Sequence, residues 1–396
     1  MSDSLNLPKK ALRAELRQKR KSLDGKNERS AAACRSILAS KEWKVARNVM
    51  IYVAHGSETK TEALMDAILK DSRKRCFLPV CEDLCGTLKI VEILSRLELA
   101  PGAFGILEPC EELQNLPERV ARPEDLDLIV APGVGFDHCG RRLGQGGGFY
   151  DRLFEKIKKR TRVVGLAFDC QLVETIPSGS HDARVHAIAT ESGLIPRAHV
   201  VGILGGIASG KSLVTRFFKD CGAVVFDADR VAKEALDSSK IKGILVERWG
   251  ANILSKDGQI DRLALASIVF APENAAELDF LNRVIHPIVH EEWRKFQTSC
   301  NTRHQRLRIL DAPLLLEAGW ESECTQCVFI DTPLARRKEF AQVRGWEKDE
   351  LEKREKKQLP IDEKRAHATC VVRNDGTEAD LREEIERFCA TLREAE

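Results

Sequence analysis

Val200-Val201-Gly202-Ile203-Leu204-Gly205-Gly206-Ile207-Ala208-Ser209-Gly210-Lys211-Ser212 is an apolar run that turns directly into a glycine-rich octad of the form GxxxxGK[ST]. Val200–Leu204 reads as a strand, and Leu213–Lys219 behind the octad reads as a helix. In that setting the backbone N–H groups of Gly205, Gly206, Ile207, Ala208, Ser209 and Gly210 can close on phosphate oxygens. The helix N-terminus adds partial positive charge. Lys211 is then the cation for the β- and γ-phosphates of ATP, and the Ser212 hydroxyl is a ligand for Mg²⁺. An ordinary glycine turn would need neither the lysine nor the hydroxyl.

Outward from this loop, strand candidates follow at Ala223–Phe226, Leu307–Leu310 and Cys327–Ile330, with helical stretches between them. Ahead of it lie Val49–Val53, Cys76–Val80, Leu128–Ala131 and Val163–Ala167, again separated by helical periodicity. Two successive α/β patterns with mostly parallel sheets are expected, as domains 1–195 and 196–396. A length of 396 residues suits two cores better than one.

Lys and Arg number 63 against 61 Asp and Glu, a net charge of +2, which argues against a general nucleic-acid binder. The absence of an apolar run long enough for a bilayer, and of an apolar core near the N-terminus, argues against a membrane or secreted protein. The 13 cysteines are an odd number scattered through apolar runs, which suits buried thiols in a reducing cytoplasm. Cys324 and Cys327 form a lone CxxC without a second pair, and read as two unrelated thiols.

At the end of the second strand candidate stands Phe226-Asp227-Ala228-Asp229-Arg230. A carboxylate at a strand's carboxyl end can take a proton from an attacking hydroxyl, although an Asp there can equally cap a helix. Taken with Asp261-Arg262, His286-Pro287, Asp311-Ala312-Pro313-Leu314-Leu315-Leu316-Glu317 and Asn374-Asp375-Gly376, the second half resembles dephospho-CoA kinase over nearly all its length. The resemblance implies a nucleoside-monophosphate-kinase-like P-loop fold with a helical lid, moving the γ-phosphoryl of ATP to the 3′-hydroxyl of dephospho-CoA. It implies Asp227 as the proton acceptor, and Asp229, His286, Pro313, Leu314, Leu315 and Glu317 at the dephospho-CoA pocket. Arg344 matches a lid arginine. One turn earlier, where the family often has another Arg, stands Phe340, so Arg336 or Arg337 is left to substitute.

In the first half, Pro132-Gly133-Val134-Gly135-Phe136-Asp137 and Gly140-Arg141-Arg142-Leu143-Gly144-Gln145-Gly146-Gly147-Gly148-Phe149-Tyr150-Asp151-Arg152 follow the strand Leu128–Ala131. Such glycine density after a strand suggests backbone wrapped on an anion, with Arg142 as a charged partner. Lys9, Arg13 and Arg17, spaced by four behind Pro8, line one helix face opposite Leu12 and Leu16. They form either a solvated basic face or a phosphate clamp.

With Glu58-Thr59-Lys60-Thr61, Gly105-Ile106-Leu107-Glu108-Pro109 and Pro177 followed by His181-Asp182, these segments resemble 5-formyltetrahydrofolate cyclo-ligase from about Lys9 to Glu191. The resemblance implies a three-layer α/β domain that uses Mg-ATP to convert 5-formyltetrahydrofolate to 5,10-methenyltetrahydrofolate. It implies ATP contacts from Lys9, Arg13, Arg142, Gly144, Gly146, Gly148 and Tyr150, folate contacts from Tyr52, Glu58 and Phe104, and Mg²⁺ ligands Asp151 and Asp182. Gln145, Gly147 and Phe149 are departures from the pattern, and His186 stands where an Asp is common. The expectation is a soluble bifunctional enzyme acting on small molecules. Its alternatives are a non-catalytic folate- or nucleotide-binding module joined to the kinase, and a P-loop kinase with a nucleoside or nucleotide acceptor.

Overall fold

The computed structural model describes residues 3–81, 87–102, 105–177, 182–269, 271, 275–347, 349–356 and 358–394. The chain divides into two compact units, the first reaching Ala198 and the second running from His199 to Arg393. Gly193–Pro196 is an antiparallel edge strand on Ala187–Thr190, so the chain leaves the first sheet only after Pro196. No helix among the described residues is long and apolar enough to cross a membrane.

The first unit is built on an eight-stranded sheet. Its parallel centre consists of Ala187–Thr190, Arg162–Leu166, Leu128–Ala131, Asn48–Met50 and Arg75–Cys81. Leu88–Ile93 and Val120–Ala121 extend it antiparallel. Successive residues of the central strands face opposite sides. Val49, Leu128, Val130 and Val164 pack with Ala33, Cys34, Ile37, Leu64 and Ile68 from the helices Lys26–Leu38 and Glu62–Lys70. Met50, Ile129, Ala131 and Val163 pack on the other side with Phe136 and Leu153. Two buried faces make three layers, and explain why these strands read as continuous apolar runs. The first helix, Asp3–Ser22, begins ahead of Pro8, so Pro8 lies within it and not at its first turn. Leu16 from this helix is fully buried against Val134, Leu143 and Ile176, which sets the helix over the glycine segment.

The second unit has a five-stranded sheet in the order Val224–Asp227, Leu307–Asp311, His199–Gly205, Gln326–Asp331, Cys370–Arg373, all parallel. Its first strand is central and buried along its whole length. The next strands in sequence depart to either side of it, and such a switch point opens a crevice at the carboxyl end. The helix Lys211–Asp220 buries Val214, Phe217 and Phe218 against Val201, Ile203, Ile309, Leu381 and Phe388. Each such side chain contributes roughly 1.5–3 kcal/mol when fully buried. The 28-residue helix Ala275–Thr302 carries His286 and Pro287. The short helices Leu334–Val343, Glu350–Glu355 and Ile361–Ala366 form a polar helical segment before the last strand, the place expected for a lid.

Candidate active sites

In the second unit the octad forms a tight loop at the carboxyl end of the central strand. Ala208 takes φ 58°, and Gly210 at φ 87° starts the helix that follows. The Ser209 carbonyl accepts from Thr332 Oγ1 at 2.8 Å and Asn374 Nδ2 at 3.0 Å, so the neighbouring strand ends brace the loop. The Ser209 hydroxyl is buried without a hydrogen-bond partner among the described residues. Lys211 Nζ donates to the carbonyls of Gly205 at 3.2 Å and Gly206 at 3.0 Å. Its ammonium is pulled down to about 8 by burial first, then by the charges of Lys364, Arg344 and Arg337, with Asp311 opposing. Ser212 is exposed on the first turn of the helix. A Cβ on Gly206 would lie 2.9 Å from Arg337 Nη1 and 3.1 Å from Ile361 Cδ1, so a larger residue there would have to displace the Arg337 guanidinium. Arg337 is held by Glu355 and by the Thr332 carbonyl.

Asp227 and Asp311 are register partners at the ends of adjacent strands. Asp227 Oδ1 accepts the Arg230 N–H at 2.8 Å, so it does cap the helix Ala228–Leu236. Asp311, given no role from sequence, is half-buried beside Thr215, whose hydroxyl donates to it at 3.2 Å. Burial raises its pKa, the Thr215 bond opposes this, and Asp227 adds to the rise. Asp229 is exposed and paired with Lys233 at 2.5 Å. Leu314 is exposed, whereas Leu315 is buried under the central strand, so Leu315 is a packing residue first. Pro313, Leu315 and Glu317 line a narrow cleft with Gly205 and Lys211. His286 is half-buried, and burial lowers its pKa. One turn on, His290 stacks on Trp320 at 4.2 Å. Arg344 is exposed, with its guanidinium 5.7 Å from the Trp346 ring, and Arg354 lies 4.4 Å from the same ring. Phe340 packs with Ile207 and Ala208 and supplies no charge, leaving Arg337 as the buried arginine that meets the loop at Gly206.

In the first unit a cavity of about 590 Å³ opens at the carboxyl ends of the central strands. Lys9, Arg13, Tyr52, Glu58, Arg142, Gly144, Gly146, Gly148, Tyr150, Asp151 and Asp182 all line it. Phe104 lies outside the described residues. Lys9 Nζ pairs with Asp182 at 2.6 Å, and Arg142 pairs with Asp151 at 3.0 Å. Arg13 donates to the Gly144 carbonyl at 2.9 Å, and Arg17 reaches Gln145, so the first helix holds the glycine loop. The Arg142 guanidinium also lies 5.3 Å from the Tyr150 ring. The Tyr150 hydroxyl and Arg142 Nε are buried without a partner among the described residues. Burial pushes the Tyr150 hydroxyl up, which keeps it a donor. Tyr52 is in the core, and its hydroxyl donates to the Thr59 carbonyl at 2.6 Å, so only its ring is left for a ligand. Glu108, which sequence reasoning left without a role, also lines the cavity.

The upstream part of the glycine segment is scaffold. Asp137 is fully buried, accepting from the N–H groups of Cys139, Arg141 and Ile176 at 3.0 Å each. Gly140, at φ +77°, would place a Cβ 2.3 Å from the Val185 carbonyl oxygen. His186 does not line the cavity; its Nδ1 accepts the Val163 N–H at 3.0 Å, a bond that a carboxylate could equally accept. Among the described residues no three His, Cys, Asp or Glu side chains stand close enough to hold a metal alone. The hard oxygens of Asp151 and Asp182, and of Ser212 in the other unit, suit Mg²⁺ that shares its coordination with nucleotide phosphates.

A family model for the 5-formyltetrahydrofolate cyclo-ligase family matches residues 6–191, and one for dephospho-CoA kinase matches residues 199–380. The dephospho-CoA kinase of Fusobacterium nucleatum is 33% identical over 198 residues, 49% of this chain and 98% of its own length. The chain is a fusion of these two families. The dephospho-CoA kinase of Carboxydothermus hydrogenoformans is 36% identical over 188 residues, 47% of this chain and 90% of its own. The solved 5,10-methenyltetrahydrofolate synthetase of Aquifex aeolicus is 32% identical, covering 48% of this chain and 92% of its own, with a TM-score of 0.42. The cyclo-ligase domain thus carries the 590 Å³ cavity and the kinase domain the P-loop cleft.

Proposed function

We propose that the protein is a bifunctional enzyme that spends two separate ATP molecules. The kinase domain phosphorylates the 3′-hydroxyl of dephospho-CoA, and the cyclo-ligase domain converts 5-formyltetrahydrofolate to 5,10-methenyltetrahydrofolate. The observation that carries the reading is convergence. Lys9, Arg13 and Arg142, the carboxylates of Asp151 and Asp182, and the buried Tyr150 hydroxyl, from three stretches of chain, meet on one cavity, while a braced P-loop and two strand-end aspartates meet on one crevice.

In the kinase domain, Lys211 exchanges the two loop carbonyls for phosphate oxygens. Asp227 takes the proton of the attacking hydroxyl, and Arg344 brings further charge from the lid. The acceptor lies against Pro313–Glu317 and His286. In the cyclo-ligase domain, Lys9, Arg13 and Arg142 hold the phosphates, and Glu58 and the Tyr52 ring face the folate. Phosphorylation of the formyl oxygen makes it a good leaving group, and the cavity's task is positioning and neutralisation. Mg²⁺, when bound with ATP, neutralises phosphate charge; Asp151 and Asp182 would hold it in one domain and Ser212 in the other. Cytoplasmic substrates fit both reactions.

The test uses the full-length protein. Methenyltetrahydrofolate is followed by its absorbance after addition of 5-formyltetrahydrofolate and Mg-ATP, with an ATP-free control. ADP release is followed with dephospho-CoA, adenosine and nucleoside monophosphates as acceptors. ATP-dependent absorbance and a preference for dephospho-CoA are expected. Tight folate binding without turnover would reduce the first domain to a binding module, and a better nucleoside or nucleotide acceptor would overturn the kinase assignment.

A further inference from the structure

Lys364 lies on the short helix Ile361–Ala366, apart from the P-loop and the acceptor loop, and only 4% of it is exposed. Its ammonium donates to Gln358 Oε1 at 2.7 Å. The carboxylate of Glu317 is 3.5 Å away, and the same Glu317 oxygen accepts the Leu359 N–H at 3.0 Å. The ammonium is thus held by one neutral acceptor and one longer ion contact. Lys364 also faces Lys211 across the narrow cleft. Gly205 and Lys211 form the nucleotide side of that cleft, and Pro313, Leu316 and Glu317 form the acceptor side. Among neighbouring charges, Lys364 does most to lower the Lys211 pKa, so the two ammonium groups repel one another. Two cations facing one cleft favour a polyanion there over any neutral ligand.

We infer that Lys364 is a further catalytic residue of the kinase domain, placed to contact the γ-phosphoryl group as it crosses from the P-loop to the acceptor. The inference rests on the phosphoryl-transfer reading above. In that step the acceptor oxygen bonds to the γ-phosphorus while the bond from phosphorus to the β–γ bridging oxygen breaks. ADP leaves with the bonding pair, and the acceptor's proton passes to the Asp227 carboxylate. Lys364 acts through its charge and hydrogen bonds, where negative charge is spread over the equatorial oxygens. Glu317 is then the internal anion that the phosphoryl group displaces, while Gln358 keeps the lysine aimed.

The experiment is Lys364→Met in the full chain, which retains the apolar stem and removes the charge. Release of ADP from ATP with dephospho-CoA as acceptor is expected to fall by about 10²–10³-fold, the usual loss for one donor to a developing charge. Binding is measured by calorimetry with ADP and with an imido analogue of ATP that carries a γ-phosphate. The analogue is expected to weaken by at least about 10-fold relative to ADP, the worth of one charge-assisted bond. A purely structural lysine would weaken both nucleotides equally. That result, or turnover within about threefold of the parent enzyme, overturns the inference. If Lys364→Met loses its cooperative melt, Lys364→Gln, which can still donate to Gln358, is judged by the same two measurements. If the parent chain releases no ADP with dephospho-CoA, the acceptor assignment fails. The ratio of analogue to ADP affinity needs no acceptor and still decides the role of Lys364.

Discussion

Replacing Arg142 by Met separates a phosphate-binding cavity from one that is merely well packed. The Arg142 side chain is 5% exposed, pairs with Asp151 at 3.0 Å, and lies 5.3 Å from the Tyr150 ring and 5.7 Å from the Phe154 ring. Methionine fills similar space and keeps good contact with aromatic rings, so the change chiefly removes charge. Asp151 stays 28% exposed and loses its cation, a cost of about 1–3 kcal/mol in the stability of the cyclo-ligase domain. If Arg142 holds a phosphate of ATP, one charge-assisted bond worth about 1.5–3 kcal/mol is lost as well. That corresponds to a roughly 10- to 150-fold fall in kcat/KM for ATP in methenyltetrahydrofolate formation. CoA formation in the same preparation should be unchanged and serves as the internal control. The double variant Arg142→Met with Asp151→Asn should regain much of the stability, because no carboxylate is left alone, and none of the ATP dependence. A kcat/KM for ATP within about twofold of the parent enzyme, alongside the expected stability loss, would refute the argument and leave Arg142 as scaffold.

Lys211→Ala should abolish CoA formation and leave methenyltetrahydrofolate formation intact; loss of both, in two parallel assays, would mean the sites are not independent. Lys211 also predicts a pH dependence. Its folded pKa of about 8 lies below its ordinary 10.5, so the charged form costs stability, and the kinase domain should gain stability as pH rises from about 8 to 10.5 in thermal melts. Phosphate binding needs the ammonium, so kcat/KM for ATP should fall above about pH 8, while kcat should fall only at higher pH, because bound phosphates restore the proton. Gly140→Ala should destabilise the cyclo-ligase domain by about 2–5 kcal/mol, from left-handed strain and a clash with the Val185 carbonyl, with kinase activity unaffected.

Four of the five central strands of the first sheet were legible because burial on both faces writes them as unbroken apolar runs; the short, alanine-rich Ala187–Thr190 was not read. Leu128–Ala131 is read to the residue. The antiparallel extensions Leu88–Ile93 and Gly193–Pro196 were not, because only part of their surface is buried and their apolar runs are correspondingly short. The P-loop was legible because its chemistry is local. Asp311, Lys364 and Arg337 were missed or left open because tertiary packing places them: the register of Asp311 with Asp227, the cleft shared by Lys364 and Lys211, and the contact of Arg337 with Gly206. Gly206, marked from the loop motif alone, also packs closely against the Arg337 guanidinium more than a hundred residues away. His186, which departs from the family pattern where an Asp is common, has its ring on the Val163 N–H, away from the cavity lining.

A net charge of +2 is small for a protein proposed to bind polyphosphate at two sites. The geometry resolves this. Of the cations proposed to meet phosphate, all but the exposed Arg344 are held by an acceptor of the protein's own: Lys9 by Asp182, Arg13 by the Gly144 carbonyl, Arg142 by Asp151, Lys211 by the loop carbonyls, Arg337 by Glu355, and Lys364 by Gln358 with Glu317 nearby. Phosphate must displace these acceptors, so affinity is a difference between two charge-assisted contacts and not the sum of new ones. In the cyclo-ligase domain the displaced acceptors are Asp151 and Asp182, the carboxylates suited to Mg²⁺. Cations taken up by phosphate and carboxylates taken up by the ion would be two halves of one exchange. ATP without Mg²⁺ would leave those carboxylates unpaired, and should therefore bind this cavity more weakly than the complex.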